Sequence, residues 1–251
     1  MKKKTKKKNK KGLLFRIVKN GFKKKLDKFE IIGSENIPDE PSLIIGNHAQ
    51  MHGPIFAEVN FPYNRTTWCM GCMHHLKEIP PYIIDDFWPY KKKGTVWFYK
   101  FLSWLLAPLC HYIFTNADTI GVYKDARGIT TFKNSILALE EEKHIIIFPE
   151  CHTKYNNIIN EFQDKFIDLA KLYYKSTKKE LSFVPVYIAP TIKTIIYGKP
   201  IKYNHNEDIC IQRKTICDYL KNKITSLAKS LPLHTVIPYE NIKKKNYPKS
   251  K

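Results

Sequence analysis

The chain has 251 residues, 43% of them hydrophobic, and a formal net charge of +20. That size and apolar content suit a single α/β domain with its own core. Arg16, Arg65, Arg127 and Arg213 are the only arginines. Lysine, a hydrated point charge, suits diffuse contact with anionic surfaces, whereas arginine is the residue that reads phosphates and bases bidentately. The balance therefore favours anionic lipid headgroups and weighs against a reader of nucleic-acid sequence. AT-rich codon usage is a second source for the Lys, Asn, Ile and Tyr excess outside the termini.

Residues 1–11 are nearly all lysine and are expected to be a disordered polybasic tail. Leu13, Leu14, Ile17, Val18, Phe22, Leu26 and Phe29 then recur at helical spacing among lysines. This predicts a basic amphipathic helix, either lying in a membrane interface or packed on its own domain. Arg16 and Lys19 interrupt any signal-peptide core, so a reduced, cytosolic set of six cysteines is expected. Strands are predicted at Phe29–Ile32 and Ser42–Ile45, joined by a Pro/Asp/Glu turn, with a helix opened by Pro54 and capped by Gly53. Thr66–Met70 reads as another strand. A helix from Val96 to Phe114 is rich in Trp, Phe and Leu, yet its uncharged stretch is too short to cross a bilayer. It either dips into one leaflet or belongs to the core. Strands at Thr119–Tyr123, His144–Phe148 and Ser182–Ile188 then alternate with helices at Ile129–Glu141 and Glu161–Tyr174. A further strand, Lys193–Tyr197, and a helix, Glu207–Ser230, follow. The tail after Pro238 is expected to be loose. This order predicts an α/β fold: one layered domain over residues 12–236, with a central mixed, mostly parallel sheet flanked by helices. The basic amphipathic N-terminal helix would precede that sheet, and residues 237–251 would form a basic C-terminal tail.

Two of these strands deliver polar groups at their C-terminal ends, where ligand crevices form in open α/β sheets. One ends in Asn47-His48, and the other in Phe148-Pro149-Glu150. A helix N-terminus beside His48 would disfavour imidazolium and keep the ring neutral, as a general base requires. Cys69-x2-Cys72 with His74 and His75 offers zinc-like ligands, but no second pair completes the spacing. Cys151-His152 sits as nucleophile beside base, although adjacent residues on an extended chain point apart.

Four motifs in order, Gly33-x-Glu35-Asn36-x-Pro38, Asn47-His48, Phe148-Pro149-Glu150 and Val184-Pro185-Val186, resemble the glycerolipid acyltransferase family. That family includes the 1-acylglycerol-3-phosphate acyltransferases, and the resemblance runs from Phe29 to Ile201. It implies that His48 takes the proton from an acceptor hydroxyl, whose oxygen attacks the thioester of acyl-CoA or acyl carrier protein. In the family an aspartate five positions along orients the histidine; here that position is Gly53. Disabling the orienting aspartate of a serine-protease triad costs about 10⁴ in rate. Candidate substitutes are a backbone carbonyl, His52, Glu58 or Glu150. The family's phosphate-binding arginine falls at Lys124, with Arg127 near it. Lys154 could supply the positive group that follows the third motif, where Cys151 replaces glycine.

The resemblance thus implies His48 as base and Asn47, Lys124, Arg127, Glu150 and Lys154 as substrate-binding residues, with no metal or bound cofactor. It implies an acyltransferase of phospholipid biosynthesis, peripheral on the inner face of the membrane and acting on a lysophospholipid or glycerol-phosphate-type acceptor. The alternative is a lipid-binding relative of the same fold without turnover. A nucleic-acid-associated protein ranks last.

Overall fold

The computed structural model describes residues 12–26 and 29–251; the polybasic stretch 1–11 lies outside them. Its centre is three strands with no exposed residue: β2 (Ser42–Gly46), β5 (His144–Ile147) and β8 (Ser182–Ala189). Both faces of a buried parallel sheet must be apolar, which is why these segments read as continuous runs of Leu, Ile and Val. Outside them stand β1 (Glu30–Ile32), β3 (Arg65–Met70), β4 (Thr119–Val122), β9 (Thr194–Tyr197) and β10 (Ile201–Lys202). The sheet order is β1-β9-β8-β2-β5-β3-β4, with β10 also on β8. Strands β8, β2, β5, β3 and β4 run parallel, while β9 and β10 are antiparallel to β8. The predicted mixed, mostly parallel sheet is what forms. β1 and β2, consecutive in sequence, are separated by β9 and β8.

Alternate residues of each strand enter different layers, as the two-residue period demands. Leu43, Ile45, Ile145 and Phe183 face α5 (Gly128–Glu140), α6 (Asp168–Thr177) and α7 (Ile209–Ser230). Ile44, Ile146, Val184 and Val186 face Phe56 and Ala57 of α2 (His52–Asn60). α2 starts at His52, two residues before Pro54, and Pro54 falls in the first turn, where a backbone N–H has no intrahelical acceptor. Gly53 therefore lies inside the helix and is not its cap.

α1 (Leu13–Leu26) packs on its own domain along one side and leaves apolar residues uncovered on the other. Phe15 is buried and Lys19 pairs with Glu58, while Leu13, Leu14 and Ile17 remain exposed. α4 (Val96–Asn116) runs through Pro108 and lays its small residues Ser103 and Ala107 inward, beside α3 (Ile79–Phe87). Its aromatics turn outward: Trp97 is 72% and Trp104 58% exposed.

The sequence expectation fails in two further places. The segment expected to begin a helix at Glu161 instead pairs as a hairpin, β6 (Glu150–Lys154) with β7 (Asn160–Phe162), and α6 starts only at Asp168. Asn160 and Phe162 point inward and Glu161 outward, a period of two. The basic C-terminal tail is also not loose. Ser250 is buried, and Val236 N–H donates to the Pro248 carbonyl at 2.9 Å.

Candidate active site

β2 leaves the sheet between β8 and β5, at the edge where all three strands end. Asn47, 2% exposed, continues the sheet with its side chain. Its Nδ2 donates to the Ile188 carbonyl at 3.0 Å, and its Oδ1 accepts the Ile188 N–H at 2.8 Å. The main chain meanwhile reverses through Ala49 and Gln50, with φ of 46° and 54°. Non-glycine residues rarely occupy that region, and such strain gathers at functional sites. Surrounding contacts hold it. Ala49 is buried, and Gln50 Nε2 donates to the Glu240 carbonyl at 3.2 Å and to the Tyr247 hydroxyl at 2.9 Å.

His48 sits between these two devices. Its backbone N–H donates to Glu150 Oε1 at 2.6 Å, while Glu150 Oε2 accepts the Asn160 N–H at 2.8 Å. Glu150 is thus a bracket between the turn and β7. The His48 ring meets Phe148 edge-on at 5.5 Å and Tyr239 edge-on at 5.6 Å. Burial lowers the His48 pKa to about 4, with the Gln50 backbone pulling weakly the other way. The ring is therefore neutral, and burial is the main cause where the helix terminus was expected to be. Burial raises the Glu150 carboxyl to about 7 despite its two N–H partners, and Glu240 adds to the rise.

Nδ1 of His48 is sealed from solvent and makes no hydrogen bond. None of the three candidate side chains reaches it, and the backbone candidate is left to Gln50, whose main chain raises the His48 pKa. Glu150 takes the backbone N–H and not the ring, Glu58 is paired with Lys19 and Arg65, and His52 stacks on Phe56. Nε2 is the ring nitrogen that is not sealed in this way.

The other residues singled out in the sequence lie farther away. Lys124 and Arg127 follow β4, three strands from β2, which is about 14 Å across the sheet. Both are exposed, and the Arg127 guanidinium is held by Asp125 and Glu78 over the Tyr123 ring. Lys154 is exposed at the far end of β6, about 13 Å of strand beyond Glu150. Cys151 lies in extended strand without positive φ, so its position makes no demand for glycine. Cys69 contacts His74 at 3.4 Å, and burial raises its thiol to about 11. Among the described residues no group of three such side chains is placed to hold a metal. Tyr239, Glu240, Asn160 and Gln50 were not anticipated. Asn160 Nδ2 donates to Glu240 Oε1 at 2.8 Å, joining the C-terminal segment to the bracket.

This arrangement, a strand-end histidine bracketed by a glutamate from the adjacent parallel strand, sits in a fold of the glycerophosphate acyltransferase type. Among solved structures the chain is similar to the 1-acyl-sn-glycerophosphate (LPA) acyltransferase PlsC from Thermotoga maritima. The match has a TM-score of 0.50 and 16% identity, and covers 85% of this chain and 80% of that one. No protein-family model and no curated protein matches the chain.

Gly53 has no room for the family's aspartate. A Cβ there would lie 2.5 Å from the His48 carbonyl oxygen and 2.8 Å from that of Asn47. The Gly53 N–H donates to the same His48 carbonyl at 2.9 Å, so the turn is closed on itself. Gly53→Asp is therefore expected to destabilise the fold by about 1–3 kcal/mol, as overpacking does. It should not raise activity. A thermal melt that falls by several degrees, with no gain in turnover, is the expected result.

Proposed function

We propose that this protein is an acyltransferase that moves a fatty acyl group from acyl-CoA or acyl carrier protein to a lysophospholipid or glycerol-phosphate-type hydroxyl. The observation that carries the reading is an imidazole kept neutral by burial, at the carboxyl edge of an acyltransferase-type sheet. In this reading His48 Nε2 takes the acceptor proton as the acceptor oxygen bonds to the thioester carbonyl carbon. The C–S bond then breaks, and the thiolate leaves with the proton that the imidazolium returns. Asn47 and Glu150 hold the turn; Lys124 and Lys154 form the outlying positive groups toward which an acceptor phosphate would be drawn, and Arg127 would have to exchange its carboxylate partners Asp125 and Glu78 to join them.

The exposed aromatics of α4 and the exposed Leu13, Leu14 and Ile17 of α1 support peripheral binding to a membrane surface, and the lysine excess is our ground for assigning it to the anionic, cytoplasmic inner face. Among the described residues no helix is long and apolar enough to cross a membrane.

The test is purified protein with acyl donor and lysophosphatidic acid. Donor-dependent acylation is expected, with an acid limb near pH 4 and not near 6.5. The lowered His48 pKa leaves the base unprotonated above that value. A limb near 6.5 would assign the base elsewhere. The unpartnered Nδ1 favours a second reading, a lipid-binding relative without turnover. Phospholipid binding with no acylation from any donor would select it.

A further inference from the structure

The C-terminal segment forms a closed loop with a firm base and a lightly held span. At the base, Ser250 N–H donates to the His234 carbonyl at 3.1 Å, and Thr235 bridges Lys249. His234 is itself fixed by the Tyr187 hydroxyl at 2.8 Å. Val236, His234 and Ser250 are all buried. Between these ends the chain crosses the mouth of the site.

The span is attached by a handful of part-exposed polar contacts. Gln50 reaches Glu240 and Tyr247, Asn160 reaches Glu240, and Asn241 Nδ2 reaches the Asp86 carbonyl at 2.7 Å. One apolar contact accompanies them: the Tyr239 ring stands edge-on to His48 and against His152 at 5.2 Å. A substrate hydroxyl must come within hydrogen-bond reach of His48, and Tyr239 occupies one side of that approach. The neighbouring apolar gap, bordered by Phe148, Phe56 and Val186, has a volume of about 10 Å³. That is room for a water and not for an acyl chain.

The same span carries Lys243, Lys244 and Lys245, all exposed. Its tip meets the last turn of α3, from which the chain runs through the exposed Lys92 and Lys93 to the aromatic face of α4. The span thus presents exposed positive charge and a ring set against His48.

We propose that residues 237–247 are a strap closed over the acceptor entrance at His48, and that an anionic lipid surface, acting on Lys243, Lys244 and Lys245, lifts it. This rests on His48 serving a lipid-acting site, but its test does not depend on turnover. Lightly held elements of this kind open as a minor state of about 0.1–10%. Three lysines near an anionic leaflet shift such a balance on the order of a hundredfold.

The test reads access to the imidazole. Full-length protein is treated with diethylpyrocarbonate, and modification of His48 is followed by peptide mass spectrometry. The wild type should react slowly alone or with phosphatidylcholine vesicles. Vesicles containing phosphatidylglycerol should speed it about ten- to a hundredfold, the ceiling being the reciprocal of the open fraction. Tyr239→Ala should react fast without vesicles, and Tyr239→Phe should restore protection. The Lys243→Ala/Lys244→Ala/Lys245→Ala variant, altered only at exposed positions, should stay slow with either vesicle. A wild-type rate indifferent to phosphatidylglycerol, an unchanged rate in Tyr239→Ala, or a lysine variant that responds like the wild type would each overturn the strap. The expected pattern in a protein that transfers no acyl group would leave the strap standing and remove the catalytic reading.

Discussion

His48→Gln should lower kcat for donor-dependent acyl transfer by about 10²–10³. A positioned general base contributes about 10²–10⁴. The lower part of that range applies because no carboxylate partners the ring, which leans instead on Phe148 and Tyr239. Packing against two ring edges limits orientation but does not stabilise imidazolium as a carboxylate would. The transition state therefore gains less from this base than from one in a charged pair. KM should move little, since the proton transfer is made only as the reaction proceeds. The measurement is initial rate against lysophosphatidic acid for both proteins, with circular dichroism to confirm folding. Activity retained within about tenfold would take the role of base away from His48.

Glu150→Ala should cost about 2–6 kcal/mol of stability. The carboxylate satisfies two backbone donors, the N–H groups of His48 and Asn160. Each buried donor left unpaired costs about 1–3 kcal/mol. For a chain of this size the melting temperature should fall by about 10 °C. Glu150→Gln removes the titration, at the pH-independent cost of turning one of the two acceptors into an NH2 donor. The folded-state pKa of about 7 lies above the ordinary 4.5, so the native protein binds the proton more tightly than the unfolded chain. By linkage, the Glu150 contribution to stability falls as pH rises from about 4.5 to about 7 and is flat outside that window. His48 has the opposite sign. Its lowered pKa makes stability rise with pH between about 4 and 6.5. The two effects oppose each other over nearly the same range, so wild-type unfolding alone hides both. The difference between wild type and Glu150→Gln in urea, followed from pH 4 to 8, exposes the Glu150 part. A difference that rises with pH would reverse the assignment.

The sheet was readable because its central strands are buried on both faces. Ser42–Ile45, His144–Ile147 and Ser182–Ile188 have few polar residues to mask the pattern, and their polar ends mark the crevice. β6 was not readable, since Cys151–Lys154 is mostly exposed and pairs only with a short partner strand. The strap left no local signal at all. Its contacts join Tyr239 to His48 and Tyr247 to Gln50 across nearly two hundred residues, and a lysine-rich composition gives no hint of such pairing. Gly53 was legible as a missing carboxylate, but only coordinates reveal that two carbonyl oxygens already fill the space. Glu150 stood out in the sequence by its place after a buried strand, but its partners, two main-chain donors, left no mark there.

Asn47 has a consequence for how exactingly a reacting nitrogen can be aimed. A histidine one residue beyond a strand would ordinarily ride on a loop and inherit its wandering. Here a side chain impersonates the next peptide unit on one flank, so the β-sheet's stiffness reaches past the point where the backbone has turned away. The imidazole is launched from a rigid edge, and in the proposed reaction its main chain would have little freedom left to surrender, whatever play the ring itself keeps.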